Sequence, residues 1–258
     1  MILDEILARK RQEVSERRAA RPDLPEPAGA TRDFIPALRQ PGVSVIAEFK
    51  RRSPSGGVIR PDATPSEIAR VYQDGGAAAL SVLTDSDYFG GSDADLAEAR
   101  AACELPVLRK DFVVDAYQVH EARAIGADAV LLIVRALTDG HLRRYLELAT
   151  RVGMAALVET HSADEVRRAL DAGATLIGVN NRDLDTLVTD VSLAPRLRPL
   201  VPSQCVFVAE SGVSTPENVA ALADAGVDAV LIGEALLRSA DPGARLRELV
   251  ETAQGVRA

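Results

Sequence analysis

Eight short apolar runs, near 44–50, 78–83, 106–109, 128–134, 154–158, 175–179, 205–209 and 228–232, alternate with helical patterns over the last five-sixths of the chain. Runs of this length between turn signals predict strands, and a helix between each pair predicts that the strands are parallel. Four of the returns from helix to strand echo one another: Gly75-Gly76-Ala77, Gly126-Ala127-Asp128, Gly173-Ala174-Thr175 and Gly226-Val227-Asp228. Glycine at such a place ends a helix in the left-handed conformation that other residues resist. Eight such units close a ring, so the expected fold is α/β, a (β/α)8 TIM barrel. An open doubly wound sheet is the structural rival, but it usually carries GxGxxG after its first strand, and none follows Lys50.

The 258 residues fit one such domain, since these barrels run to about 250 residues. The barrel is expected over 44–258, with 1–43 as an N-terminal extension. Within it, Ile2, Leu3, Ile6, Leu7 and Val14 fall on one face of a predicted extra helix over 2–20, followed by a Pro- and Ala-rich linker at 21–29. Arg9-Lys10-Arg11 and Arg17-Arg18 would suit a membrane-surface helix, but Glu5, Glu13 and Glu16 interrupt them, and docking on the barrel is the expectation. No apolar run is long enough to span a membrane, and no signal-peptide pattern opens the chain. A net charge of −8 argues against a nucleic-acid partner, though not against a small anionic substrate. Cys103 and Cys205 are too few for a disulfide framework or a zinc site, which points to a reducing, cytoplasmic home.

Six of the runs end in a polar or small residue: Glu48-Phe49-Lys50, Arg109-Lys110, Glu159, Asn180, Glu210-Ser211 and Gly233. Parallel barrels collect active sites at the C-terminal ends of their strands, so this recurrence predicts an enzyme. Side chains alternate along a strand, which puts Glu48 and Lys50 on the side of Ile46, Lys110 with Leu108, Glu159 with Leu157 and Glu210 with Val208. The Glu48–Lys50 pair is either functional or an ion pair plugging the barrel. Two lysines and three carboxylates in one cavity would shift one another's pKa values, as proton transfer near neutrality requires. Arg182 either neutralises Glu159 or Glu210 or binds a substrate carboxylate. Ser211, Gly212 and Gly233, small residues at the ends of strands seven and eight, suit a phosphate site. Glu234, next to Gly233, would have to turn away from it. The segment 53–57, beginning at Ser53, reads as a mobile loop over the cavity, and Phe89 and Phe112 are placed to sandwich a flat substrate. His120, His141 and His161 read as surface residues, with no metal-site spacing.

The blocks 46–55, 83–92, 106–112, 157–159, 177–184, 209–213 and 231–234, with Ile2-Leu3-Asp4-Glu5-Ile6 before them, together resemble the indole-3-glycerol-phosphate synthase family. Phe49 stands where an aliphatic residue is commoner, and Gly56-Gly57 where a Lys often precedes Gly. The resemblance implies a decarboxylating carbon–carbon lyase of tryptophan biosynthesis, monofunctional and without metal or organic cofactor. It would close 1-(2-carboxyphenylamino)-1-deoxyribulose 5-phosphate to indole-3-glycerol phosphate, releasing CO2 and water. It implies Lys110 as general acid, Glu159 as base, Glu48 and Lys50 as proton carriers and Asn180 as an orienting group, with Lys50 alternatively a fixed cation for carboxylate or phosphate. Glu210 and Ser211 complete the set at strand seven. Phe89, Phe112, Leu131 and Leu184 would pack the aryl ring, while Ser211, Gly212 and Gly233 cradle the phosphate. No obligate protein partner is implied. A related isomerase barrel would require a cysteine at a strand end, which is missing here; a noncatalytic phosphate-ligand-binding paralogue is the remaining alternative.

Overall fold

Valine, isoleucine and leucine dominate the eight runs, and their branched side chains favour the extended, pleated backbone. In the computed structural model, which describes residues 2–27 and 29–255, all eight are strands: β1 Ser44–Phe49, β2 Ala79–Leu83, β3 Val107–Lys110, β4 Ala129–Ile133, β5 Ala155–Thr160, β6 Leu176–Asn180, β7 Val206–Glu210 and β8 Ala229–Ile232. They pair in parallel, each with its neighbour in sequence, and β8 returns to β1 to close the barrel. Its closing register sets Ser44 opposite Ala229 and Ala47 opposite Ile232. Each strand differs from the sequence reading by one or two residues at its ends. β4 stops at Ile133 because the chain tightens into one turn at Val134–Ala136, and β5 runs on to Thr160.

Strand alternation divides the core into two shells. Ile46, Leu108, Leu157, Val208 and Leu231 point inward and pack together. Val45, Ala47, Val82, Val158, Ile177 and Phe207 point outward, into the layer between strands and helices. The four echoed returns behave as their sequence suggests, with Gly76, Gly126, Gly173 and Gly226 all at positive φ.

The extension does two jobs at opposite ends. Helix Ile2–Ala20 lies over the barrel mouth, its Leu3, Ile6 and Leu7 joining the inner shell. The chain then descends the outside, where Tyr117 Oη donates to the Arg21 carbonyl. At the bottom the Arg32 N–H donates to Asp128 at 2.7 Å, and Phe34, which opens a short helix Phe34–Ala37 that the sequence reading did not include, and Leu38, just after it, plug the inner shell. Met1, Ala28 in the expected linker and 256–258 of the expected barrel lie outside the described residues.

A buried cation fastens the N-terminal helix. Lys10 is 1% exposed, with Nζ 2.8 Å from Asp85, 3.0 Å from Asp111 and 2.9 Å from Glu13. Asp111 also meets Arg109, a fully buried guanidinium that pairs with Asp93 and Glu121. Burying charges in this way is tolerable only because every one of them has a partner.

Candidate active site

Of the strand-end residues singled out above, Glu48, Lys50, Lys110, Glu159, Asn180, Glu210, Ser211 and Gly233 line one cavity of about 400 Å³ at the C-terminal end of the barrel, whereas Phe49 and Arg109 face the helix layer. Its floor is ionic. Lys50 Nζ lies 2.5 Å from Glu48 Oε1, and Ser81 Oγ, at 3.5 Å, faces the other carboxylate oxygen. Across the mouth Lys110 Nζ donates to Glu159 Oε2 at 2.9 Å and stands 3.3 Å from Glu210 Oε2. The Asn180 amide donates to Glu159 Oε1 at 3.2 Å, its orientation fixed because its own oxygen accepts the Arg182 backbone N–H.

The electrostatics follow from one ammonium serving two buried carboxylates. Burial alone would lower the pKa of Lys110, but Glu159, Glu210 and Glu48 more than reverse this and raise it. Burial pushes Glu159 up, yet Lys110 and His161 and its hydrogen bonds bring it down to about 2. Glu210 goes the other way. Burial raises it to about 7 against the pull of Lys110, with the charge of Glu159 adding to the effect. Two carboxylates pushed apart in this manner can present an acid and a base side by side.

This split has a consequence for stability. A carboxyl whose folded pKa is about 7 against an ordinary 4.5 weakens the folded state as pH rises through that window. Glu210→Gln is therefore expected to melt above the wild type at pH 8 and to lose that advantage by about pH 5. Thermal melts at the two pH values check it, and a constant difference between the proteins would contradict the raised value.

Two glycines make room for this floor. A Cβ on Gly178 of β6 would sit 2.2 Å from Glu210 Oε1, and one on Gly233 would sit 2.7 Å from Glu48 Oε1. Gly233 thus has a packing role that sequence reasoning missed. Glu234 resolves the tension noted above by turning to Arg238, 2.8 Å away, and lying against Gly56.

The walls differ in character. Phe89 and Phe112 stand with ring centroids 6.2 Å apart on the apolar side, which Leu131 and Leu184 extend. On the small-residue side, Ser211 and Gly212 are consecutive residues at φ +64° and +79°. A positive φ in a serine is uncommon and tends to occur at functional turns. Ser53 belongs to a two-stranded ribbon, Arg52–Ser53 with Gly57–Val58, at the rim.

One of the two roles left open for Arg182 falls away, and one expectation needs correction. Arg182 does not neutralise Glu159 or Glu210; its guanidinium reaches over the mouth to Ser55 Oγ at 2.7 Å and to Thr189 Oγ1 at 3.3 Å. His161 is not a surface residue. It follows β5 with its side chain 2% exposed, 3.4 Å from Glu159, because alternation along the strand carries 157, 159 and 161 to the same side. His120 and His141 are exposed. Sequence reasoning also missed Ile2, Leu3 and Ile6 as cavity lining; their place on the apolar face of the helix was visible, but not the site beneath it.

Comparison with known proteins agrees with this architecture. Residues 3–249 match the family model for indole-3-glycerol phosphate synthase. The chain is 54% identical over 254 residues to indole-3-glycerol phosphate synthase 2 of Streptomyces coelicolor, covering 96% of this chain and 98% of that protein. It is 50% identical over 257 residues to the indole-3-glycerol phosphate synthase of Acidithiobacillus ferrooxidans, with the same coverage. Among solved structures, a thiamine phosphate pyrophosphorylase from Pyrococcus furiosus superposes with a TM-score of 0.65, over 86% of this chain and 100% of that one. At 19% identity that likeness concerns the fold alone. With a family match over nearly its whole length and relatives at half identity or better, this chain belongs to the indole-3-glycerol phosphate synthase family.

Proposed function

We propose that this protein closes the indole ring of tryptophan biosynthesis, converting 1-(2-carboxyphenylamino)-1-deoxyribulose 5-phosphate to indole-3-glycerol phosphate with loss of CO2 and water. The observation that carries this reading is Lys110 held between Glu159 and Glu210, under an aromatic wall and opposite a turn of small residues. The aryl ring lies against Phe89, Phe112, Leu131 and Leu184, and the phosphate occupies the side of Ser211, Gly212 and Gly233. Ser53 and Arg182 close over the polar end of the substrate from the rim.

Lys110 protonates the ketone oxygen, which makes its carbon electrophilic. The ring carbon bearing the carboxylate attacks that carbon, and departure of CO2 returns the electron pair that restores aromaticity. The hydroxyl left behind leaves as water when protonated, and Glu159 removes the proton whose loss completes the indole. Glu48 and Lys50 pass protons to and from the solvent side, Lys50 also serving as a fixed cation for the substrate's anionic groups. Asn180 orients Glu159 and the reacting hydroxyl. The ketone supplies the electrophile and CO2 leaves from the substrate itself, so this route calls for no added electrophile.

Glycine at 178 is part of this machinery through the space it leaves. Gly178→Ala is expected to lower kcat about a hundredfold, since a carboxylate displaced by about 1 Å costs that much. Adding Glu210→Asp, one methylene shorter, should not restore turnover if Glu210 must reach Lys110. Steady-state kinetics on both variants checks this.

The protein works on a small phosphorylated molecule. Among the described residues no helix is long and apolar enough to cross a membrane. Two buried free thiols, Cys103 and Cys205, fit the reducing cytoplasm, where we place it. The test is continuous indole fluorescence after mixing purified protein with the substrate. The chain has no Trp, so background at the product's emission is low. A catalytic rise is expected; a flat trace with measurable substrate binding would favour a noncatalytic binder of phosphorylated ligands.

A further inference from the structure

Glu159 has a neighbour that the proposed chemistry leaves unused. His161 Nε2 stands 3.4 Å from Glu159 Oε1, a close ionic contact without a formed hydrogen bond. On its other flank Nδ1 is 3.3 Å from Glu165 Oε2, and the same oxygen accepts the His161 backbone N–H at 2.8 Å. Glu165 in turn accepts from Arg135 Nε at 3.2 Å, and Arg135 faces Asp185 at 3.5 Å and Asp183 at 3.9 Å. A row of alternating charge therefore runs from the turns after β4 and β6 down to the cavity floor.

Helix capping explains part of this row. Glu165 is the third residue of helix Ala163–Asp171, and Ser162 Oγ accepts its N–H. A glutamate there commonly reaches back to a backbone N–H at the helix start. Any residue at 161 would supply that N–H, however, so capping does not account for an imidazole buried between two carboxylates. Burying an imidazolium is costly unless it is paired. Here Glu165 and Glu159 flank the two ring nitrogens, and they raise its pKa although burial opposes them.

The asymmetry of the floor gives the imidazole something to do. Lys110 is shared by Glu159 and Glu210, whereas His161 and Asn180 favour Glu159 only. Neither carboxylate oxygen of Glu210 has a formed hydrogen bond. We propose that His161 is a positioning residue that assigns the proton shared by the two carboxylates beside Lys110, keeping Glu159 ionised and leaving the proton on Glu210. Glu165 holds the imidazolium in place, and Arg135 holds Glu165. This rests on the reading of Glu159 as the base.

The experiment compares His161→Gln with Glu165→Gln. Glutamine at 161 keeps an amide donor near the position of Nε2 and removes the charge; at 165 it keeps an acceptor for the His161 N–H. Without the imidazolium the shared proton moves toward Glu159 wherever the pair is singly protonated. Between pH 8 and pH 6, kcat of His161→Gln is expected to fall about tenfold more than that of the wild type, a proton redistribution of about one pH unit. Glu165→Gln should do the same to a smaller extent, and it carries the kinetic test if the first variant does not fold. A loss of kcat equal at both pH values would overturn the proposal and leave His161 a packing residue.

A second readout does not depend on turnover. The chain has three histidines, so nitrogen-15 spectra resolve each imidazole. His161 is expected to titrate above the ordinary imidazole value, and to move down in both Glu159→Gln and Glu165→Gln. A His161 that titrates at the ordinary imidazole value would overturn the proposal. Failure of the wild type to form any indole would instead sink the functional reading, and the histidine titration would still decide whether His161 is paired with Glu159.

Discussion

Lys110→Met is expected to abolish ring closure, lowering kcat about a thousandfold, the range of a lost general acid, while the barrel stays folded. Methionine approximates the length of lysine and leaves packing against the floor intact. It removes the cation that faces Glu159 at 2.9 Å and Glu210 at 3.3 Å. Two carboxylates left without it cannot both stay ionised, so one proton will be retained to higher pH. The variant should therefore bind substrate yet fail in single-turnover fluorescence at every pH between about 6 and 9. Its melting temperature should fall as pH rises through this range, because the pair must then shed a proton without compensation. Near-wild-type turnover would remove Lys110 from the role of acid and leave Lys50 as the candidate.

Lys10→Met is expected to have the largest effect on stability, a loss of about 4 kcal/mol, or about 10 °C in melting temperature for a chain of this size. The cause is the company Lys10 keeps. Asp85 and Asp111 are both about 1% exposed and both within 3.0 Å of its ammonium. Removing one partner of a buried ion pair strands the others, which costs far more than the pair contributes in balance. Burial raises the carboxyl of Asp111, but Lys10 and Arg109 hold it below the ordinary range; the pKa of Lys10 is raised by the same contacts despite burial. The lysine contribution is full below the ordinary lysine value of about 10.4 and is lost as pH rises from there through its raised value, while the aspartate contribution is lost only as pH falls below about 4. The deficit should thus be nearly constant from about pH 5 to pH 9 and shrink in acid. Asp85→Asn in the same chain should recover part of it. A melting temperature within about 2 °C of the wild type would show that the cluster is solvated in solution.

Asp111 also ties stability to function. It follows Lys110 directly, and its carboxylate accepts the Phe112 N–H at 2.8 Å. The helix that Lys10 fastens thus holds the segment presenting both the ammonium and one wall of the aryl pocket. None of this was visible beforehand. Lys10 reads as one of many charges on a solvated helix face, because its burial depends on two aspartates about 75 and 100 residues further on.

The strands and the sides their residues face were legible from the chain alone. Glu48, Lys50, Lys110, Glu159 and Glu210 could be aimed into the barrel because side-chain direction in a strand is a local property with a period of two residues. The same rule, carried one step past Glu159, aims His161 inward; reading it as the start of a helix on the surface hid this. The glycine returns were legible for the same reason, since each depends on a few consecutive backbone angles. What tertiary structure alone decided is which of these groups meet. Whether Lys110 lies nearer to Glu159 or Glu210, whether Arg182 reaches a carboxylate or Ser55, and which carboxylate is pushed up and which down are all set by strand register and closure. Closure joins residues 44 and 229, and the energies of charges at 3 Å in a buried floor change steeply with small shifts in that register.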